Sequence, residues 1–120
     1  MEAEAFRAFC LGKPAASEET PFGPEHLVFK VGGKMFVLLA FEEVPPSANL
    51  KYDPDHALEL RDRYEDVTAG YHMNKKHWNS VIIAGAVPDV EIKKMIDESY
   101  NLVFRSLPKV EQARIAPPVP

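Results

Sequence analysis

The sequence predicts an α+β domain: an antiparallel sheet with helices packed mainly on one face, in the order α-β-β-β-α-β-β-α. Three observations carry this. Apolar stripes of helical spacing stand near both ends of the chain, a Gly32-Gly33 pair separates two apolar runs, and Asp53-Pro54 opens a helix between two sets of strand-like segments. A chain of 120 residues suits one domain, and at this size roughly two thirds of the unfolded surface can be buried. We place that domain at residues 1–108, with a Pro-rich tail at 109–120 that ends Pro117-Pro118-Val119-Pro120.

The first helix is expected from Glu2 to Leu11, where Phe6, Phe9 and Cys10 share one stripe and Gly12-Lys13-Pro14 stops the run. A polar link follows. Leu27 to Val31 and Lys34 to Phe41 then form a hairpin across Gly32-Gly33, a pair that tolerates the positive φ angles of a tight turn. A two-residue turn pairs Phe29 with Phe36 and Leu27 with Leu38 on one face, leaving Lys30 and Met35 on the other. Met35 to Phe41 is apolar on both faces, which predicts a central strand whose outer face is covered, with a homodimer contact as one way to cover it. Ala48 to Tyr52 alternates as a third strand. Asp53 caps the next helix, which runs to about Tyr64, with Pro54 where no N–H is missed. Thr68 to Met73 and Trp78 to Ile83 form a second hairpin around Asn74-Lys75-Lys76-His77. The last helix opens at Pro88 and repeats Ile92, Met95, Ile96, Ser99, Val103 and Leu107 until Pro108 ends it.

Composition narrows function. No apolar run approaches the ~20 residues of a membrane span, and the acids at Glu2 and Glu4 are unlike a secretory leader, so a cytoplasmic protein with no membrane role is expected. Cys10 has no intrachain partner and sits in an apolar helical stretch, where a thiol packs as a small hydrophobe. A net charge of −4 means that any polyanion must be met by a local basic face, weakly and with strong dependence on salt.

Tyr71-His72-Met73-Asn74-Lys75-Lys76-His77-Trp78 supplies such a face, because it places two cations, two imidazoles and two large aromatics in eight residues. Lys75 and Lys76 suit phosphates, Asn74 and His77 suit hydrogen bonds, and Trp78 or Tyr71 offers a ring for base stacking. Lys30 and Lys34 extend the basic surface from the first hairpin. A plainer reading has Asn74 in a left-handed turn, solvated lysines, and Trp78 alternating with Ser80 and Ile82 into the core. His72 and His77 lack a cysteine or carboxylate at ligand spacing, so neither a metal nor another cofactor is expected. Asp97, Glu98 and Tyr100 read as a solvated helix flank, no nucleophile and base stand at recognisable spacing, and the chain is not expected to be an enzyme.

The loop from Tyr71 to Trp78, followed by Val87-Pro88-Asp89 and Ile96-Asp97-Glu98-Ser99-Tyr100-Asn101-Leu102-Val103, resembles the MmcQ/YjbR family of small bacterial proteins. The likeness also takes in the helix at Phe6, the Pro21-Phe22-Gly23 turn, the hairpin from Val28 to Phe41 and Leu50-Lys51. It implies a fold similar to the CyaY-like, or frataxin-like, sandwich, and a role in binding duplex DNA through a "double wing" of hairpins. The iron binding that a frataxin-like shape invites finds no acidic ridge here, since Glu2 and Glu4 are the only acids of the first helix. The alternative is a module for a protein segment or a small anion, using a sheet face with Tyr71, His72 and Trp78.

Overall fold

The computed structural model describes residues 1–70 and 74–116. Six strands, β1 (Ser17–Glu19), β2 (His26–Val31), β3 (Lys34–Ala40), β4 (Ser47–Lys51), β5 (Val67–Ala69) and β6 (Trp78–Ile82), form one antiparallel sheet in the order β1-β2-β3-β4-β6-β5. The helices are α1 (Ala3–Leu11), α2 (Pro54–Arg63), α3 (Asp89–Arg105) and α4 (Lys109–Ile115).

The buried residues of α1, α2 and α3 join one cluster with Phe29, Val37, Leu39, Ala48, Leu50 and Val81 of the sheet, so the core lies on one face. The expected stripes supply it: Phe6 and Cys10 from α1, and Ile92, Met95, Ile96, Ser99 and Val103 from α3. Burial pushes the Cys10 thiol far above its ordinary range, as a packing role requires. Asp53 caps α2 by accepting from the Asp55 N–H at 3.1 Å.

Gly32 and Gly33 both take positive φ, 57° and 79°, so the first hairpin turns where the glycines allow it. Its register differs from the one expected. Lys30 faces Met35 as predicted, but Phe29 pairs with Val37 and Leu27 with Leu39, because the ladder shifts by one residue at Phe29/Lys30. The extra residue is Phe36. Its ring packs edge-on against Tyr100 of α3 at 5.3 Å between centroids, and the shift sends Leu38 to the outer face with Val28. Beside this bulge the Ser99 hydroxyl, fully buried, donates to the Phe36 carbonyl at 2.5 Å and accepts from the Lys51 N–H at 2.8 Å. A helix side chain thus bridges β3 and β4 just beyond the Val37↔Leu50 pair.

Two segments differ from expectation. Ser17–Glu19, read as part of a polar link, is an edge strand tied down by its acids: Arg7 holds Glu18 and Lys30 holds Glu19. Lys109–Ile115, read as extended tail, is a helix whose Ile115 packs on the core and whose Gln112 amide donates to the carbonyls of Arg105 and Leu107. Pro108 ends one helix and, having no N–H to lose, starts the next. Residues 117–120 lie outside the described residues.

Candidate nucleic-acid interface

Sheet register fixes where the loops lie. Lys51 of β4 faces Trp78 of β6, and Leu50 faces both Asn79 and Val37, so the Gly32-Gly33 turn and the segment leading into Trp78 project from the same end of the sheet. β3 and β6 are separated by β4 alone, which puts the strands feeding the two hairpin tips about 10 Å apart.

The second tip is built by Asn74. Its side-chain oxygen accepts from the Lys76 N–H at 2.9 Å, and its carbonyl accepts from His77 at 3.2 Å and Trp78 at 2.9 Å, an Asx turn. Arg61 of α2 braces the turn from below: its guanidinium donates to the Lys75 carbonyl and, at 2.6 Å, to the side-chain oxygen of the fully buried Asn79. Asn79 in turn donates to the Ala57 carbonyl at 3.1 Å. With its backbone held, the turn leaves Asn74, Lys75 and Lys76 exposed, and among the described residues no carboxylate pairs with either lysine. The His77 carbonyl accepts from Tyr52 at 2.7 Å and continues the ladder to β4. Tyr71 and His72 lie outside the described residues.

The first tip is less free. Lys30 pairs with Glu19 at 2.8 Å, and the Lys34 ammonium lies 3.3 Å from the Ser106 hydroxyl and 3.4 Å from its carbonyl. Trp78 corrects an expectation: Asn79 and Val81 face the core, while Trp78, Ser80 and Ile82 are half-buried on the other face. The inversion follows from Asn79, a polar residue that the pairing with Arg61 and Ala57 makes fit for burial. Gly70 makes room for it, since a Cβ there would stand 3.0 Å from the Trp78 Cβ.

Two residues escaped the sequence reading. Lys51 stands beside Trp78 on the outer face with no carboxylate partner among the described residues, and Arg61 holds the turn; Lys51 sits in the alternation of β4 and was findable from it, whereas Arg61 becomes visible only in three dimensions. Deeper on the same face, Val28, Leu38, Ala40 and Asn49 are 8% exposed or less. The helix flank carries its own pairings: Asp97 with Lys13 at 2.6 Å, Glu98 with His56 at 2.7 Å, and the Tyr100 hydroxyl donating to the Pro14 carbonyl at 2.6 Å.

A bulged six-stranded sheet, helices on one face and two hairpins projecting from one end define a small α+β domain with a basic tip. The chain belongs to the YjbR family, whose model matches residues 11–102. It is 43% identical over 97 residues to the uncharacterized protein YbdF of Escherichia coli O157:H7, covering 81% of this chain and 80% of that one. The uncharacterized protein YjbR of Escherichia coli K12 is 32% identical over 101 residues, 84% and 86% of the two chains. The fold matches the crystal structure of Deinococcus radiodurans protein DR2400, domain DUF419, with a TM-score of 0.91, 34% identity, and coverage of 98% of this chain and 89% of that one.

Proposed function

We propose that this protein is a non-catalytic DNA-binding module that meets the phosphate backbone with its two hairpin tips, chiefly through Lys75 and Lys76. One observation supports the reading above the others: the turn that Arg61 braces presents both ammonium groups outward, unneutralised by any described carboxylate, at the sheet end shared with the first hairpin. Lys51 adds charge behind them, and Trp78 beside it supplies a ring. Because the chain carries a net charge of −4 and Lys30 is already paired, few phosphates are neutralised and binding is weak, with a dissociation constant on the order of 10⁻⁴ M at physiological salt. The reading has the protein at work in the cytoplasm, where DNA and a lone reduced thiol coexist.

Trp78 is the only tryptophan, so it reports on this surface directly. Titration with a short duplex at low salt is expected to change Trp78 emission and to shift the amides of Lys75, Lys76 and Lys51. A duplex that leaves these amides unmoved at millimolar concentration refutes the proposal. The acids on the outer face, Glu19 and Glu43, favour instead a protein segment as partner, and that alternative would shift outer-face residues and spare the lysines.

A further inference from the structure

The helix-free face carries a second feature, two rungs of the ladder away from Trp78. His26, Ala40 and Ser47 form one rung and Leu38, Asn49 and Ser80 the next, and with Glu43 they line a cavity of about 230 Å³. Its floor is apolar and its wall is polar. The Ser80 hydroxyl donates to the Asn49 side-chain oxygen at 2.8 Å, which fixes the amide and leaves its NH₂ group without a partner among the described residues. The Ser47 hydroxyl donates to the Glu43 carboxylate at 2.8 Å. His26 Nδ1 is buried with no hydrogen-bond partner among the described residues, an arrangement that costs stability unless something supplies the missing bond.

We propose that this cavity takes one unpaired cytosine base of a nucleic-acid strand that runs along the outer face toward Trp78 and the lysine turn. The inference rests on the reading of the partner as nucleic acid and extends it from backbone contact to base contact. The volume equals that of about eight water molecules at liquid density, room for a single planar ring with its substituents. A cytosine edge presents an amino donor beside ring and carbonyl acceptors. The amino group suits the Glu43 carboxylate, and the acceptors suit the Asn49 NH₂. Thymine would turn a carbonyl toward Glu43, which repels it. Spacing agrees as well. Asn49 and Lys51 are two residues apart on β4, about 7 Å, close to the step between successive nucleotides, so a base in the cavity leaves the next one near Lys51 and Trp78.

The test uses single-stranded oligonucleotides that differ at one position, cytosine, thymine or abasic, titrated against the full chain and the Glu43→Gln variant. Glu43 is exposed, so the variant folds. We expect cytosine to bind about tenfold more tightly than thymine or the abasic strand, with shifts at the Ser47, Asn49 and Ser80 amides. In Glu43→Gln that ratio falls to about one while the salt dependence contributed by the lysines stays. Equal binding of all three strands by the native chain, with salt dependence intact, overturns the base contact and leaves the backbone reading standing. No binding by any single strand overturns the base contact, no binding by a short duplex at low salt overturns the backbone reading as well, and a response to free cytidine equal to that of the strand overturns the assignment of a strand as occupant.

Discussion

Arg61 offers the sharpest perturbation, because one side chain connects the stability of the fold to the geometry of the tip. Arg61→Met keeps most of the aliphatic stem and deletes the donors. Three acceptors lose a partner: the Lys75 carbonyl, the Trp78 carbonyl at 3.4 Å, and the Asn79 side-chain oxygen at 2.6 Å. Lys75 is exposed and water replaces the lost bond at little cost. Asn79 is fully buried, and stranding its oxygen costs about 1–3 kcal/mol. A central figure of about 2 kcal/mol, set against an unfolding entropy near 2.1 cal/mol/K per residue over 120 residues, lowers the Tm by about 8 °C. Thermal melts by circular dichroism measure the fall, and amide exchange at Lys76, His77 and Trp78 measures the loosening of the turn. A double-mutant cycle with Asn79→Ala should give a coupling of about 1 kcal/mol or more. A Tm within 2 °C of the native value together with unchanged exchange at the turn would refute the bracing role.

Further outcomes follow from the same geometry. Ser99→Ala removes the hydroxyl that bridges Phe36 and Lys51 and should cost about 2–4 kcal/mol in urea unfolding, since two backbone groups lose their partner at the bulge. Gly70→Ala should cost about 1–3 kcal/mol, because its Cβ would meet the Cβ and the carbonyl of Trp78 at 3.0 and 3.1 Å. Tyr52 carries a buried hydroxyl with no partner among the described residues, and burial, followed by the nearby Glu98 charge, raises its pKa well above 10. Its contribution is therefore whole below pH 10 and is lost as pH rises above that value, where the unfolded chain ionises and the folded one resists; Tyr52→Phe should flatten the alkaline fall in Tm and leave neutral stability equal or higher. Cys10 should react with a thiol reagent only as fast as the protein unfolds.

Much of this fold is written in local patterns. The α1 and α3 stripes, the Asp53 cap and the Gly32-Gly33 turn each depend on a few neighbouring residues, and each stands where its pattern puts it. Features set by distant contacts do not read out that way. The bulge exists because Phe36 gains the Tyr100 ring, and nothing between Leu27 and Leu38 announces a partner more than sixty residues away. Alternation alone sends Trp78 inward, whereas Arg61 makes a polar residue, Asn79, the buried member of the pair. Ser17–Glu19 has no apolar alternation to betray it, and its edge position depends on Arg7 and Lys30. The helix at Lys109–Ile115 is too short to form unaided and needs the core beneath Ile115. For the candidate site, the lysine pair was legible as a turn and the face of Lys51 from the alternation of β4, whereas its place beside Trp78 comes from the register and the cavity between His26 and Ser80 spans four strands.

The most direct test of the lysine tip is the slope of log affinity for a short duplex against log salt, compared between the native chain and the Lys75→Ala, Lys76→Ala double variant. Each neutralised phosphate contributes roughly 0.9, so the account expects the magnitude of the slope to fall by about two. A double variant whose slope equals that of the native chain would contradict it.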